Sequence, residues 1–213
     1  MSKGRLEALT DGIFATVMTV LVLSLSVPII AGSSTPNNVP SVINSELDQL
    51  VPIIYGYVLS FLILAVFWIR HHNIFHFIIR VDGPFLWLNL LFLLTIGFIP
   101  FSTELLGRFP QIEETVIIYG ANLAATGICL QALWRYAVGR KLVASDGRLD
   151  ENLMGRINRN LTVGPFLYFS AILLAFVRPL ISDIIYAGVL VFYVLVTSNA
   201  IRFRRRANFP NPR

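Results

Sequence analysis

The sequence predicts an all-α integral membrane protein with six transmembrane helices, and two observations lead to this fold class. Of the 213 residues, 55% are hydrophobic and only 14% are charged, which is about half the charged share of a soluble domain. Apolar stretches near 20 residues long, the length that crosses the hydrocarbon core of a bilayer, recur along the whole chain. These properties exclude an ordinary water-soluble protein.

The six predicted spans lie at 12–31, 50–69, 84–103, 112–134, 161–177 and 180–201. Gly, Ser, Asn and Pro between 32 and 38 separate the first two spans, Asp82-Gly83-Pro84 separates the next two, and 107–110 precedes the fourth. The polar stretch 135–160 and Arg178-Pro179 bound the fifth span. Such residues favour turns. Because no segment resembles a soluble domain, residues 1–213 are predicted to form one six-helix domain.

The distribution of basic residues predicts the orientation of the chain. With six spans, 15 of the 17 Lys and Arg residues fall on the side of both termini, and only Arg108 and Arg178 fall on the other side. Basic connections stay in the cytoplasm during insertion, so both termini and the connections 70–83 and 135–160 are predicted to be cytoplasmic. We therefore attribute the net charge of +5 to residues that set the orientation in the membrane and contact the lipid bilayer. We expect no nucleic-acid partner.

The first span carries a stripe of small hydroxyl and aliphatic side chains. Thr16, Val20, Leu23 and Val27 follow helical spacing along one face, and Thr19 lies beside them. Two interpretations stay open for this stripe. It can be a seam between helices, where hydroxyls allow close packing, or it can line a narrow pore, where hydroxyls meet a partly dehydrated ion.

Polar residues at the predicted cytoplasmic ends of the first three spans are predicted to lie at one depth. Asp11 opens the first span, His71 and His72 end the second, and Asn89 lies near the start of the third. A charged or polar group in lipid must face protein or water. We expect a histidine to bond to Asp11 rather than to bind metal, since no HExxH pattern is present. The alternative for the octet 5–12 is a simple helix start with Thr10 or Asp11 as the cap.

In their order and spacing, these residues resemble the transmembrane protein 175 family, the endosomal and lysosomal potassium channels and their bacterial and archaeal relatives. The residues that carry the resemblance are Arg5, Leu9, Thr10, Asp11, Gly12, Trp68, His71, His72, Phe75, Asn89, Pro100, Phe101, Ser102 and Thr103. The resemblance covers all six spans, and its specificity comes from the first three.

This resemblance implies a short, one-repeat member in a prokaryotic plasma membrane, assembled as a homotetramer around a pore lined by the first span. It implies passive conduction of K⁺, with moderate preference over Na⁺ and other monovalent cations, and no cofactor, bound metal or enzymatic activity. The implied pore-lining residues are Thr16, Thr19, Val20, Leu23 and Val27. A structural polar network is implied for Arg5, Thr10, Asp11, Trp68, His71, His72 and Asn89.

The chain departs from the family pattern at informative positions. The family motif is Arg-x-x-x-Phe-Ser-Asp, and here Leu9 and Thr10 replace the Phe and the Ser. The family has a large aliphatic residue five positions after the motif aspartate, where this chain has Thr16, so Leu23 is the candidate for the narrowest point instead. Thr19 matches a threonine that is frequent in the family.

Three other functions stay open on the sequence. Asp11 and His72 could exchange protons in a proton-coupled transporter or provide a proton-leak pathway, although paired halves and helices broken at the midplane are not evident. An intramembrane enzyme would need a nucleophile or metal constellation that the sequence lacks. A non-conducting scaffold would have the same stripe as a pore wall.

Overall fold

The computed structural model of the chain describes residues 2–25, 39–144, 151–176 and 178–206. The described residues form six α-helices, and a short 3₁₀ turn, Leu21–Ser24, follows the first. The helices are α1 (Lys3–Val20), α2 (Val39–Phe75), α3 (Gly83–Arg108), α4 (Glu113–Gly139), α5 (Glu151–Ala175) and α6 (Pro179–Arg206). The predicted all-α class with six helices is therefore confirmed.

Four helical segments in the described part of the chain are long and apolar enough to cross a membrane. They are Lys3–Leu23, Leu50–Phe75, Gly83–Arg108 and Glu113–Gly139. In α6 the apolar segment is shorter, Ile181–Leu195. In α5 the first half carries Arg156 and Arg159, which shortens its apolar part.

Helix α1 begins nine residues before the predicted span. Ser2 precedes the first turn in an extended conformation, and Lys3 forms an ion pair with Glu7 at 3.6 Å one turn later. Thr10 and Asp11 lie inside the helix. The alternative in which Thr10 or Asp11 caps the helix is therefore wrong, because the helix already begins at Lys3.

Helix α3 is the structural centre of the bundle. Its first turn is capped by Asp82, whose side chain accepts a hydrogen bond from the backbone N–H of Phe85 at 2.9 Å. Pro100 lies inside the helix, which continues to Arg108, so this proline does not end the helix. One side of α3 contacts α1 and α2, and it also packs along α4.

The remaining helices are layered around α3 and α4. Helix α5 packs on α4, α6 packs on α5, and α6 also contacts α2 and α4. Buried side chains from all six helices form one continuous apolar core, in which Phe14, Phe67, Phe92 and Trp134 are among the largest. The described residues thus enclose a single core.

A short backbone contact joins two connections at one end of the bundle. The N–H of Ile79 donates to the carbonyl of Leu142 at 2.8 Å, and the N–H of Ala144 donates to the carbonyl of Phe77 at 2.8 Å. The α2–α3 connection and the start of the α4–α5 connection therefore lie on the same side. This is the arrangement that alternate connections of an up-and-down bundle require.

Glycines allow the second half of the bundle to pack closely. A Cβ atom on Gly127 of α4 would lie 2.9 Å from Cγ of Pro165 in α5, and one on Gly164 would lie 2.5 Å from the hydroxyl of Tyr193 in α6. The proline ring cannot rotate away. The α4–α5 crossing therefore requires a residue without a side chain at position 127.

We expect Gly127→Ala to lower the free energy of unfolding by about 1–3 kcal/mol, because the added methyl group overpacks the contact with Pro165. The matched control is Gly155→Ala on α5, where a Cβ would meet nothing within 4 Å. That change should stabilise the helix by about 0.5–1 kcal/mol, since alanine favours helix. Thermal unfolding in detergent measures both. Equal melting temperatures for the two variants would contradict the packing argument.

Candidate permeation site

Helix α1 has two faces with different surroundings. Leu6, Thr10, Phe14, Val17 and the following Leu21 are buried. These residues recur at helical spacing, and α1 packs by this face into the groove between α2 and α3. The sequence alone does not distinguish this face from the opposite one, since both are largely apolar.

The opposite face of α1 carries the predicted stripe. Thr16, Thr19, Val20 and Leu23 are all exposed, and the exposed fraction reaches 75% for Leu23. The fifth predicted member, Val27, lies outside the described residues. Four of the five predicted pore-lining residues therefore share one surface that the described part of their own chain leaves exposed.

The two threonine hydroxyls of the stripe are held in a defined orientation. Thr16 Oγ1 donates to the carbonyl of Gly12 at 2.9 Å, and Thr19 Oγ1 donates to the carbonyl of Thr16 at 2.7 Å. A hydroxyl has one hydrogen and two lone pairs. Because each hydrogen points back to the helix, the lone pairs remain available to a cation or to a donor from another helix.

The predicted polar network is largely assembled within the chain, beginning with Asp11. The indole Nε1–H of Trp68 donates to Oδ1 of Asp11 at 2.8 Å, and the ring of His72 stacks on that indole with 5.9 Å between centroids. We expected a histidine to bond to Asp11. Within the chain Trp68 has that role, because His72 stays exposed beside it and His71 turns into the core.

Asn89 connects three helices through its amide. Its Nδ2 donates to Thr10 Oγ1 of α1 at 3.1 Å, and its Oδ1 faces Nε2 of His71 in α2 at 2.9 Å. All three side chains are buried. In this amide orientation the oxygen can only accept, so Nε2 of His71 would be the donor. The ring of His71 is stacked between Phe75 and Phe92, at 4.1 and 5.4 Å.

Arg5 is the one member of the predicted network that the structure leaves apart. It is exposed, and among the described residues it has no hydrogen-bond or ion-pair partner. Arg5 and Asp11 form no ion pair with each other in the described part of the chain. Six residues separate them on α1, so the helix directs their side chains to different faces.

A second buried polar cluster was missed at the sequence level. Ser60 of α2 lies 2.9 Å from the hydroxyl of Tyr119 in α4, and Thr103 of α3 donates to Ser60 at 2.7 Å. Asn122 of α4 and Ser102 of α3 lie close by. The signal was present as polar residues inside apolar spans, but the sequence cannot specify which helices meet.

The described residues contain no group of three His, Cys, Asp or Glu side chains that could hold a metal ion. The site is instead a face of neutral hydroxyls and aliphatic groups. Beside it lies a polar network that fixes the helix. Such an arrangement can line a path for an ion or pack against another helix.

Comparison with known proteins gives a consistent result. Residues 5–100 match the family described as endosomal/lysosomal potassium channel TMEM175. A potassium channel of Chamaesiphon minutus is 33% identical over 201 residues, which cover 92% of this chain and 95% of that protein. The endosomal/lysosomal proton channel TMEM175 of Bos taurus is 30% identical over 65% of this chain, and the match spans only 30% of that protein.

The fold is also similar to a solved structure. The crystal structure of a lysosomal potassium-selective channel TMEM175 homolog from Chamaesiphon minutus superposes with a TM-score of 0.77 at 29% identity. The superposition covers 91% of this chain and 96% of that chain. The helices that carry the polar network therefore occur in the same arrangement in a channel of this kind.

Asn89→Leu is expected to lower the free energy of unfolding by about 1–3 kcal/mol, since it leaves the buried Thr10 hydroxyl and His71 ring without their partner. Thermal unfolding in detergent measures the change, and Asn73→Leu is the control because Asn73 is exposed on α2. In a Thr10→Val background, Asn89→Leu should lower the free energy of unfolding by less, because the hydrogen bond between Asn89 and Thr10 is already lost. Strictly additive losses would count against the chain of hydrogen bonds.

Proposed function

Because the chain belongs to the TMEM175 family of potassium channels, we propose that it conducts K⁺ passively through a pore lined by α1 from four copies. The observation that carries this proposal is the exposed face of α1. Thr16, Thr19, Val20 and Leu23 are exposed in the single chain. When four such faces meet on an axis, they form a channel wall of hydroxyl and aliphatic groups.

An apolar groove beside α1 supports assembly from several copies. Leu9 and Ile13 of α1 line it together with Leu90, Leu94 and Phe98 of α3, and its volume is about 520 Å³. Leu94 is 69% exposed in the single chain. A neighbouring copy that inserts apolar side chains here would bury this groove and bring the α1 helices together. The family resemblance supports an assembly of four copies.

The proposed pore combines two kinds of ring. Leu23 of four copies would form an apolar constriction, where a hydrated ion must shed part of its water. Thr16 and Thr19 would present hydroxyl lone pairs to the dehydrated ion. Oxygen ligands compensate the loss of water for K⁺ more cheaply than for the strongly hydrated Na⁺, which supports a moderate preference for K⁺.

The proposed orientation places both termini in the cytoplasm. The basic connections 70–83 and 135–160 support it through the excess of Lys and Arg, and the backbone contact between Phe77 and Ala144 keeps these two connections on one side. We propose that α5 and α6 cross the membrane as well, so that residues 1–213 form one six-span domain. The prokaryotic relative supports a plasma-membrane location.

Proton permeation is the second candidate function. The bovine relative is a proton channel by name, and Asp11 and His72 lie on neighbouring sides of Trp68 in this chain. A water-filled stripe of threonines could also pass protons along a water wire. A proton-coupled transporter would differ from a leak in requiring a proton transfer during each transport cycle.

Purified protein in liposomes is expected to show K⁺ flux down its gradient, with a smaller Na⁺ flux. Leu23→Ala should widen the constriction and Thr16→Ala should remove a ring of oxygen ligands, so each should lower the ratio of K⁺ to Na⁺ flux by up to about tenfold, equivalent to about 1.4 kcal/mol of barrier. Leu173→Ala is the control, because Leu173 is exposed on the distant α5.

Folded protein without K⁺ flux would reject the channel and favour a transporter or a scaffold. Flux that appears only with a pH gradient, and that His72→Ala abolishes, would favour the proton-coupled alternative.

Asp11→Ala is expected to weaken the tetramer, because it removes the acceptor of the Trp68 indole and loosens α1 on its own bundle. The lost bond to a charged acceptor amounts to about 1.5–3 kcal/mol. Asp11→Asn retains an oxygen for the indole and should keep most of the assembly. Light scattering of the detergent-solubilised protein measures the population of each species. An unchanged tetramer in Asp11→Ala would remove this role from Asp11.

A further inference from the structure

The middle of α3 contains a turn whose backbone hydrogen bonds are weakened. Pro100 has no N–H, so the carbonyl of Ile96 lacks the partner that a helix normally supplies, and the proline ring crowds that carbonyl. The hydroxyl of Thr95 donates to the carbonyl of Phe92 at 2.7 Å, a bond that favours bending of a helix. Such a turn needs support from a neighbouring helix inside a membrane.

Asn122 of α4 meets this turn with both ends of its side-chain amide. The amide orientation follows from the donors and acceptors around it. The nitrogen lies 3.1 Å from the carbonyl oxygen of Thr95, and the oxygen lies 3.3 Å from the N–H of Ile99 and 3.1 Å from the hydroxyl of Ser102. Asn122 is buried, with 7% of its surface exposed.

Asn122 contacts the carbonyl of Thr95 and the N–H of Ile99, two backbone groups that hydrogen-bond to each other in a regular α-helix. Thr95 and Ile99 are four residues apart, so their carbonyl and N–H form one rung of an α-helical hydrogen-bond ladder. An amide that donates to the first and accepts from the second can stand in for this rung when the turn opens. The rung lies directly before Pro100.

The same turn faces the proposed pore helix. Gly97 and Phe98 of α3 line the apolar groove together with Thr16 and Val17 of α1. One turn earlier, the rings of Phe92 and Phe14 pack at 6.0 Å between centroids. The shape of α3 between 92 and 100 therefore sets where the middle of α1, including Thr16, is seated.

We propose that Asn122 is a positioning residue for permeation: its amide bridges the weakened turn of α3 before Pro100 and holds α3 in the shape that seats α1. This inference rests on the proposed function in one respect, because its consequence for ion flux requires that α1 lines the pore. Its structural part does not depend on conduction.

The experiment is a double-mutant cycle of Asn122→Leu and Pro100→Ala in the full-length assembled protein. Asn122→Leu removes both amide contacts, and Pro100→Ala restores an N–H for Ile96 and so repairs the ladder. If the amide bridges the turn, Asn122→Leu should change the K⁺/Na⁺ flux ratio about threefold or more, and should do so much less in the Pro100→Ala background. Additive effects would overturn the proposal.

Amide hydrogen exchange of the segment 95–103 gives a readout that does not need ion flux. Asn122→Leu should accelerate exchange in this segment, and Pro100→Ala should suppress that acceleration. If the wild type conducts no K⁺ while exchange behaves in this way, the proposed function fails and the bridge stands. If Asn122→Leu leaves the exchange of 95–103 unchanged while the wild type conducts K⁺, the bridge is rejected and the proposed function stands.

Thr126→Val is the matched control. Thr126 is fully buried one turn further along α4, and its hydroxyl donates to the carbonyl of Asn122 within its own helix at 2.8 Å. It should leave both the flux ratio and the exchange of 95–103 unchanged. If Asn122→Leu alone does not assemble, recovery of the assembly by Pro100→Ala supports the bridge, and failure to recover overturns it.

Discussion

The hydrogen bonds of the Asn89 amide are the interaction on which the rest of the arrangement depends. Asn89 lies in α3, and its side chain binds Thr10 of α1 and His71 of α2. A polar group inside an apolar bundle cannot hydrogen-bond to water and needs a protein partner. Because the donor and the acceptor of an amide have fixed positions, only a few arrangements of the neighbouring helices satisfy both. The rotation of α1 about its own axis is fixed in this way, and Trp68 fixes it again through Asp11.

The rotation of α1 decides which residues remain uncovered. Apolar packing alone could bury either side of this helix, because leucine, valine and isoleucine occur all around it. With Thr10 turned inward, the face of Thr16, Val20 and Leu23 is turned outward. In the proposed pore, the polar network would therefore act indirectly, because it would orient the wall that an ion meets without contacting the ion.

Close helix packing and a second polar cluster join the second half of the molecule to α2 and α3. Glycines at helix crossings bring α4, α5 and α6 into close contact, and the hydroxyl groups of Ser60, Thr103 and Tyr119 join α2, α3 and α4. These helices support one side of α3, while α1 packs on another side. A helix with an internal proline can serve as such a support only when its neighbours complete its backbone hydrogen bonds.

The sequence by itself determined that the protein lies in a membrane and that its chain forms six helices. Those features depend on local composition and helical spacing, which are properties of the sequence itself. The tertiary structure decided which polar groups pair. Trp68 rather than a histidine binds Asp11, Arg5 stays apart, and Asn122 meets α3. Pairing depends on the relative rotation and depth of separate helices, and those quantities are set by long-range packing that no local pattern encodes.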